Sequence, residues 1–360
     1  MSSPASEKTG DNQPVRSVCE KLKRTRDGAA TCFRLSSAGG SALFPYINSL
    51  QRRRKAMTRH DGFQTVKGTI DWEHPMYKLY EKAKRNGKWN PADIDFSQDQ
   101  TDFASLTSEE KISALPLVAG FSAGEEAVTL DILPMTNALA RQGRLEDVLF
   151  LTTFMHDEAK HVEMFSRWQQ AVGIGEMDLS VFHNDDYKRI FYEALPEAMD
   201  RLDNDDSPEA IIRAATVYNM IVEGTLAESG YYTFRQIYKK AGLFPGLLQG
   251  IDYLNMDEGR HIQFGIYTIQ RLVNENERYY ELFIRYMDEL WPHVSGYVAY
   301  LTELGKRQQH LARTYALEID YDMLNNYVVK QFNIRKKQIS RTKRYDSAEE
   351  LEKAAAEAER

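Results

Sequence analysis

The pentapeptide Asp-Glu-x-x-His occurs twice, as Asp157-Glu158-Ala159-Lys160-His161 and as Asp257-Glu258-Gly259-Arg260-His261. On an α-helix, residues three apart lie about 60° apart around the axis and about 4.5 Å along it. Glu158 and His161 can therefore address one metal ion, and Glu258 and His261 another. A carboxylate beside an imidazole suits iron, manganese or zinc. A single Glu-x-x-His says little, because the pair often lies on a solvated helix face. Two copies with the same preceding Asp, on separate helices, point to a paired site.

A dinuclear site in a helical bundle takes two more carboxylates from two other helices. In Gly124-Glu125-Glu126-Ala127 an acidic pair interrupts an apolar stretch, and in Met220-Ile221-Val222-Glu223-Gly224 a single Glu does so. A buried carboxylate without a partner is expensive, and a metal compensates it. Periodicity favours Glu125 over Glu126. Phe121 and Val128 lie four before and three after Glu125, whereas Glu126 has Ser122 and Thr129 at those offsets. The order Glu, ExxH, Glu, ExxH is that of two like halves. Asp157 and Asp257 turn about 100° away from the Glu that follows each. Each could accept the outer N–H of the His on the facing helix.

The positioning elements are helices. Thr107-Ser108-Glu109-Glu110 reads as a capping box. It predicts a helix to about Gln142, with Pro116 and Pro134 kinking or breaking it. Further helices are expected over 145–172, stopped by Gly173 and Gly175, and over 186–202. Ser207 before Pro208 opens another, ending at Gly242. One more runs from Pro245 into the 270s, and others lie between 277 and 335. Residues 57–105 read as an ordered lead-in with Trp72, Trp89 and the turn Asn90-Pro91. The expected fold is all-α: a ferritin-like four-helix bundle with additional helices.

Only 21 Gly and 11 Pro in 360 residues argue against a turn-rich β domain. No apolar run is long enough to span a membrane. Cys19 and Cys32 are the two cysteines, too few for a disulfide scaffold or a Cys-ligated cluster. A net charge of −7 gives no reason to expect nucleic acid. Residues 1–56 hold eleven Lys/Arg against four Asp/Glu and carry the run Arg52-Arg53-Arg54-Lys55. They read as a disordered basic extension without a secretory signal, or as an upstream start to a chain beginning at Met57. The core domain is expected over 57–336, followed by a charged tail over 337–360. The cytoplasm is the expected location.

With these motifs the sequence resembles the ribonucleotide reductase small-subunit family over about residues 90–330. Two positions depart from a reductase subunit. Phe165 stands where the radical-bearing Tyr is expected, one turn after the first ExxH His. The C-terminal relay Tyr has no counterpart either, since the last tyrosine is Tyr345. The ligand-binding oxidases that resemble that subunit are a better match. Trp89-Asn90-Pro91-Ala92-Asp93-Ile94-Asp95-Phe96, Gly124-Glu125-Glu126-Ala127-Val128, and Tyr218 five residues before Glu223 all resemble their segments.

The resemblance implies one manganese and one iron per chain. It implies Glu125, Glu158 and His161 on the manganese side, Glu223, Glu258 and His261 on the iron side, and Glu158 bridging. It further implies a long-chain fatty acid or similar hydrophobic ligand at the metals, molecular oxygen as co-substrate, a homodimer, and an ether crosslink from Val128 Cβ to Tyr218 Oη. On an ideal helix Tyr218 lies about 140° around from Glu223, so pattern alone would not pair them. A reductase radical-generating subunit is the alternative. A ferritin-type iron store fits less well, because the aromatic-rich 290–335 region has no place in it.

Deleting residues 1–56 is expected to leave the melting temperature and metal content unchanged, because that stretch lacks a core pattern. A large fall in melting temperature of the truncated chain would refute this.

Overall fold

The computed structural model describes residues 62–309 and 320–341, and positions 345, 347, 349, 350 and 353. The expected basic extension 1–56 and most of the charged tail lie outside the described residues. Met1–Thr69 and Ile70–Arg360 cluster as separate units. In the first, Gln64–Lys67 forms one helical turn.

The second unit is helical throughout, with no strand among the described residues. Its elements are α1 (Pro75–Asn86), α2 (Ser97–Ser105), α3 (Ser108–Asp131), α4 (Leu133–Arg141), α5 (Leu145–Ala171), α6 (Asp185–Lys188), α7 (Leu195–Asp200), α8 (Pro208–Ala215), α9 (Glu228–Phe234), α10 (Pro245–Glu275), α11 (Arg278–Gln309) and α12 (Tyr321–Gln338). Wide π-helical segments at Arg189–Ala194, Thr216–Ala227 and Arg235–Lys239 join α6 to α7, α8 to α9, and extend α9. No described helix is long and apolar enough to cross a membrane.

The long helix expected from Thr107 divides. The capping box forms, with the Thr107 hydroxyl accepting from the Glu110 N–H and the Glu110 carboxylate from the Thr107 N–H. Pro116 stays inside α3, but the helix stops at Asp131 and restarts at Leu133. Pro134, in the first turn of α4, cannot donate a backbone hydrogen bond to the turn before it. The stretch after Pro208 is helical as expected, but its register widens at Thr216. There the Thr225 hydroxyl donates to the Met220 carbonyl five residues back, 2.7 Å away.

Helices α3, α5, α10 and the Pro208–Lys239 run pack as a four-helix bundle. Helices α1 and α2 cover α5 and α10, while α11 and α12 cover the Thr216–Ala227 segment. The entry to α10 is locked. Phe244 adopts a left-handed φ of 56°, and Asp99 caps the helix by accepting from the Gly246 and Leu247 N–H groups at 2.8 and 2.7 Å. The Trp168 indole of α5 donates to the same carboxylate at 2.9 Å. A fully buried aspartate thus ties α2, α5 and α10 together.

Close approach between α10 and the π-helical segment requires a glycine. A Cβ on Gly265 would lie 2.3 Å from Asn219 Cβ. Helix propensity favours alanine over glycine by about 1 kcal/mol. Gly265→Ala is nonetheless expected to destabilise the protein by about 1–3 kcal/mol, the usual range for overpacking. Urea denaturation would measure this, and an unchanged or raised midpoint would contradict the packing argument.

Candidate metal centre

Each bundle helix delivers its predicted residue to one point. Glu125 comes from α3, Glu158 and His161 from α5, Glu223 from the π-helical segment, and Glu258 and His261 from α10. All six are buried, at 5% exposure or less, whereas the neighbouring Glu126 is exposed. Their ligand atoms form two groups, each within 4.8 Å: Glu125, Glu158, His161 and Glu258, and Glu158, Glu223, Glu258 and His261. Both Glu158 and Glu258 belong to both groups, so the geometry offers two bridging carboxylates where the resemblance implied one.

The imidazoles are oriented alike. His161 Nδ1 faces Glu125, Glu158 and Glu258 at 3.3, 3.5 and 3.7 Å. His261 Nδ1 faces Glu158, Glu258 and Glu223 at 3.1, 3.4 and 3.5 Å. Their Nε2 atoms point outward. His161 Nε2 lies 3.5 Å from Asp257, and His261 Nε2 lies 3.6 Å from Asp157. Each Asp therefore stands behind the His of the facing helix. The inward atoms have the character of a metal site. Both Glu158 oxygens, one oxygen each of Glu223 and Glu258, and both ring nitrogens of His161 and His261 have no protein hydrogen-bond partner despite full burial. Groups so placed are costly unless a cation joins them.

The electrostatics agree. Burial pushes the Glu125 carboxyl up to about 7. Burial, followed by the charge of Glu258, raises Glu223 well above the carboxylate range. Burial also opposes ionisation of Glu158, yet its contacts with His161 and His261 bring it down to about 2. Burial likewise opposes charging the two imidazoles, but the surrounding carboxylates raise both well above the usual histidine value. Protons thus stand in for cations, and metal binding would release them.

Several residues around the centre were not legible as functional. Lys160 and Arg260 occupy the fourth position of each motif and are buried. Arg260 Nη2 contacts Asp157 at 2.7 Å and Asp257 at 2.5 Å, and Lys160 Nζ contacts them at 2.8 and 3.1 Å. The repeated basic residue was the available signal. The Trp89 indole donates to Asp257 at 2.7 Å, and the Lys160 ammonium sits 4.5 Å above its ring. The Tyr231 hydroxyl donates to Glu258 at 3.1 Å and lies 3.4 Å from Glu125. The Asn219 amide donates to Glu223 Oε2 at 2.8 Å, leaving Oε1 facing His261.

Tyr218 and Glu223 stand together at the site because residues five apart align in a π-helix. The Tyr218 hydroxyl donates to the Val128 carbonyl at 2.9 Å. Phe165 is buried between Phe121 and Phe234, with ring centroids 5.6 and 6.4 Å away.

The sequence profile of the ribonucleotide reductase small chain matches residues 71–350. The chain belongs to the ribonucleotide reductase small-chain family. Among solved structures, an R2-like ligand-binding oxidase with aerobically reconstituted Mn/Fe cofactor is 93% identical. The match covers 79% of this chain and 99% of that one, with a TM-score of 0.78. A valine-to-leucine variant of such an oxidase, also with aerobically reconstituted Mn/Fe cofactor, is 92% identical over 79% of this chain and 99% of its own, again at 0.78. A valine-to-alanine variant with anaerobically reconstituted Mn/Fe cofactor is 92% identical over 79% and 100%, at the same score.

Glu158 reaches both ligand groups, whereas Asp157 acts only through His261. Glu158→Ala is therefore expected to lose both metals. Asp157→Ala should weaken binding by about 10–100-fold, as loss of an outer partner typically does. Metal analysis of the loaded variants checks this, and two metals retained by Glu158→Ala would overturn the ligand assignment.

Proposed function

We propose that this protein is an oxygen-activating dinuclear Mn/Fe oxidase that holds a hydrophobic ligand, such as a long-chain fatty acid, at its metals. The observation that carries this reading is the set of buried, unpartnered inward atoms on Glu158, His161, Glu223, Glu258 and His261. Glu125, Glu158 and His161 are assigned to manganese and Glu223, Glu258 and His261 to iron, with Glu158 and Glu258 between them. Asp257 and Asp157 orient the imidazoles through Nε2. The metal pair, when bound, supplies oxygen activation and an oxidant able to take a hydrogen atom from a C–H bond.

The chain's own residues set what such an oxidant meets. Val128 and Tyr218 are buried and joined by the hydroxyl-to-carbonyl hydrogen bond. The Val128 Cβ hydrogen is tertiary, and the β-branched side chain is stiff at χ1, so its direction is held. Burial, followed by the charges of Glu158 and Glu223, holds the Tyr218 phenol well above its usual pKa, so it carries its proton. An ether between Val128 Cβ and Tyr218 Oη would break one C–H and one O–H bond, its two electrons and two protons passing to oxygen as the oxidant. Phe165 carries no phenol, and the Tyr231 hydroxyl near it is held on Glu258.

A cavity of about the size of one water molecule lies beside Tyr218, lined by Ile132, Met135, Leu151, Phe154, Met199 and Phe264. An acyl chain entering there would have to displace side chains, and unbranched Met135 and Met199 are suited to that. The proposal includes a homodimer working in the cytoplasm, on the family resemblance.

The rival reading is a reductase radical-generating subunit. One observation favours it: the Trp89 indole, hydrogen-bonded to Asp257 beside His161, makes a path from the centre to a half-buried ring. Phe165 in place of a radical tyrosine, and the Lys160 cation over the indole, favour the oxidase.

After aerobic loading with both metals, peptide mapping of the wild type should yield a branched peptide joining the 128 and 218 segments, two hydrogens lighter than their sum. Tyr218→Phe should bind both metals and never form the branch. Segments that always separate in the loaded wild type would refute the crosslinking oxidase.

A further inference from the structure

Helix α12 touches the carbonyl next to a proposed metal ligand through one side chain. Arg335 is 2% exposed. Its Nε donates to the Gly224 carbonyl at 2.8 Å, Nη1 to Gln338 at 2.8 Å, and Nη2 to Gln331 at 3.1 Å. Each guanidinium nitrogen has an assigned acceptor, so the planar fork is held rigidly. Gly224 follows Glu223 and lies in the π-helical segment. A Cβ there would meet Arg335 Cδ and Nε at 2.8 Å, and the Asn219 carbonyl also at 2.8 Å. Glycine and arginine are thus fitted to each other.

The register of the segment changes beside this carbonyl. In an α-helix the Gly224 carbonyl would accept from the Glu228 N–H, four residues on. Here the Glu228 N–H bonds the Glu223 and Thr225 carbonyls instead. Arg335 gives this carbonyl a side-chain donor where the Glu228 N–H has turned to other carbonyls. That register brings Tyr218 and Glu223 to the same side. In an α register they would lie about 140° apart, and one of them would leave the centre.

We infer that Arg335 is a positioning residue for the metal centre: its hydrogen bond to the Gly224 carbonyl holds the π-helical segment that presents Glu223 and Tyr218 together. This rests on the dinuclear reading above. Coupling runs from α12 through one carbonyl to the Glu223–His261 half of the site. The Glu125–His161 half, on α3 and α5, does not depend on it.

The test uses the full chain and R335M, with R335K and F332A as comparators. Phe332 is a buried α12 residue packed on Trp291, so F332A loosens the helix without touching Gly224. Metal-free protein is titrated with cobalt(II), whose d–d absorption reports each position, and hydrogen exchange is followed over 216–227. Wild type should take up two ions. R335M should bind one with wild-type affinity and the second about 10–100-fold more weakly, matching E223A rather than E125A. Exchange over 216–227 should rise in R335M. R335K should recover part of both effects. F332A should lower the melting temperature without splitting the two affinities. Equal affinities or unchanged exchange in R335M would overturn the inference, as would the same split in F332A. Fewer than two ions in the wild type would overturn the dinuclear reading and this one with it. Unchanged exchange in R335M with two ions in the wild type would overturn this one alone.

Discussion

Four carboxylates and two imidazoles lie out of water at the middle of a helical bundle, with most of their inward atoms bonded to no protein group. Removing like charges from water costs several kcal/mol per ion unless cations or protons compensate. Much of the surrounding architecture holds this cluster against that cost. The Asp99 cap fixes where α10 begins, and so the height at which Glu258 and His261 meet α5. Gly265 lets α10 approach the π-helical segment closely enough for the Asn219 amide, which holds Glu223, to lie 3.4 Å from the His261 carbonyl.

Around the cluster runs a second set of charges. Asp157 and Asp257 each stand behind the histidine of the opposite helix, and Lys160 and Arg260 lie between the two aspartates. Each motif thus contributes a metal-facing pair and an outer pair. The two copies interlock rather than acting side by side. Against burial, the facing imidazoles, followed by Arg260 and, for Asp257, Lys160, hold both aspartates below the usual carboxylate range, and an aspartate behind Nε2 leaves Nδ1 turned toward the metals. The inner carboxylates are steadied differently, by the neutral donors Tyr231 and Asn219. Neutral donors hold one oxygen without competing for the charge a metal needs.

Much of this was legible in the chain. Both Asp-Glu-x-x-His copies, the choice of Glu125 over Glu126, and Glu223 all followed from charge placed on apolar helix faces. The exposure of Glu126 against the burial of Glu125 shows how much one step of helical rotation decides. The capping box at Thr107 is local chemistry and formed as read. A kink or break was expected at both Pro116 and Pro134, and the helix divides only beside the second, at Ile132. Local sequence could not choose between them, because a proline inside a helix is tolerated where packing compensates, as at Pro116.

By itself, the sequence determined the helical class, the six residues that meet and the Asp behind each His, because these depend on helical periods and on the cost of burying charge. Only the tertiary structure decided that Glu258 reaches both ligand groups as Glu158 does, and that Lys160 and Arg260 are buried between the two aspartates. It also decided the partnership of Tyr218 with Glu223. An ideal helix separates those two, and nothing in the local residues announces a wider register. The register is held where Gly224 leaves room for Arg335, more than a hundred residues later, to donate to its carbonyl. A hydrogen bond between such distant residues has no period and no local signature, so it exists only once the chain has folded.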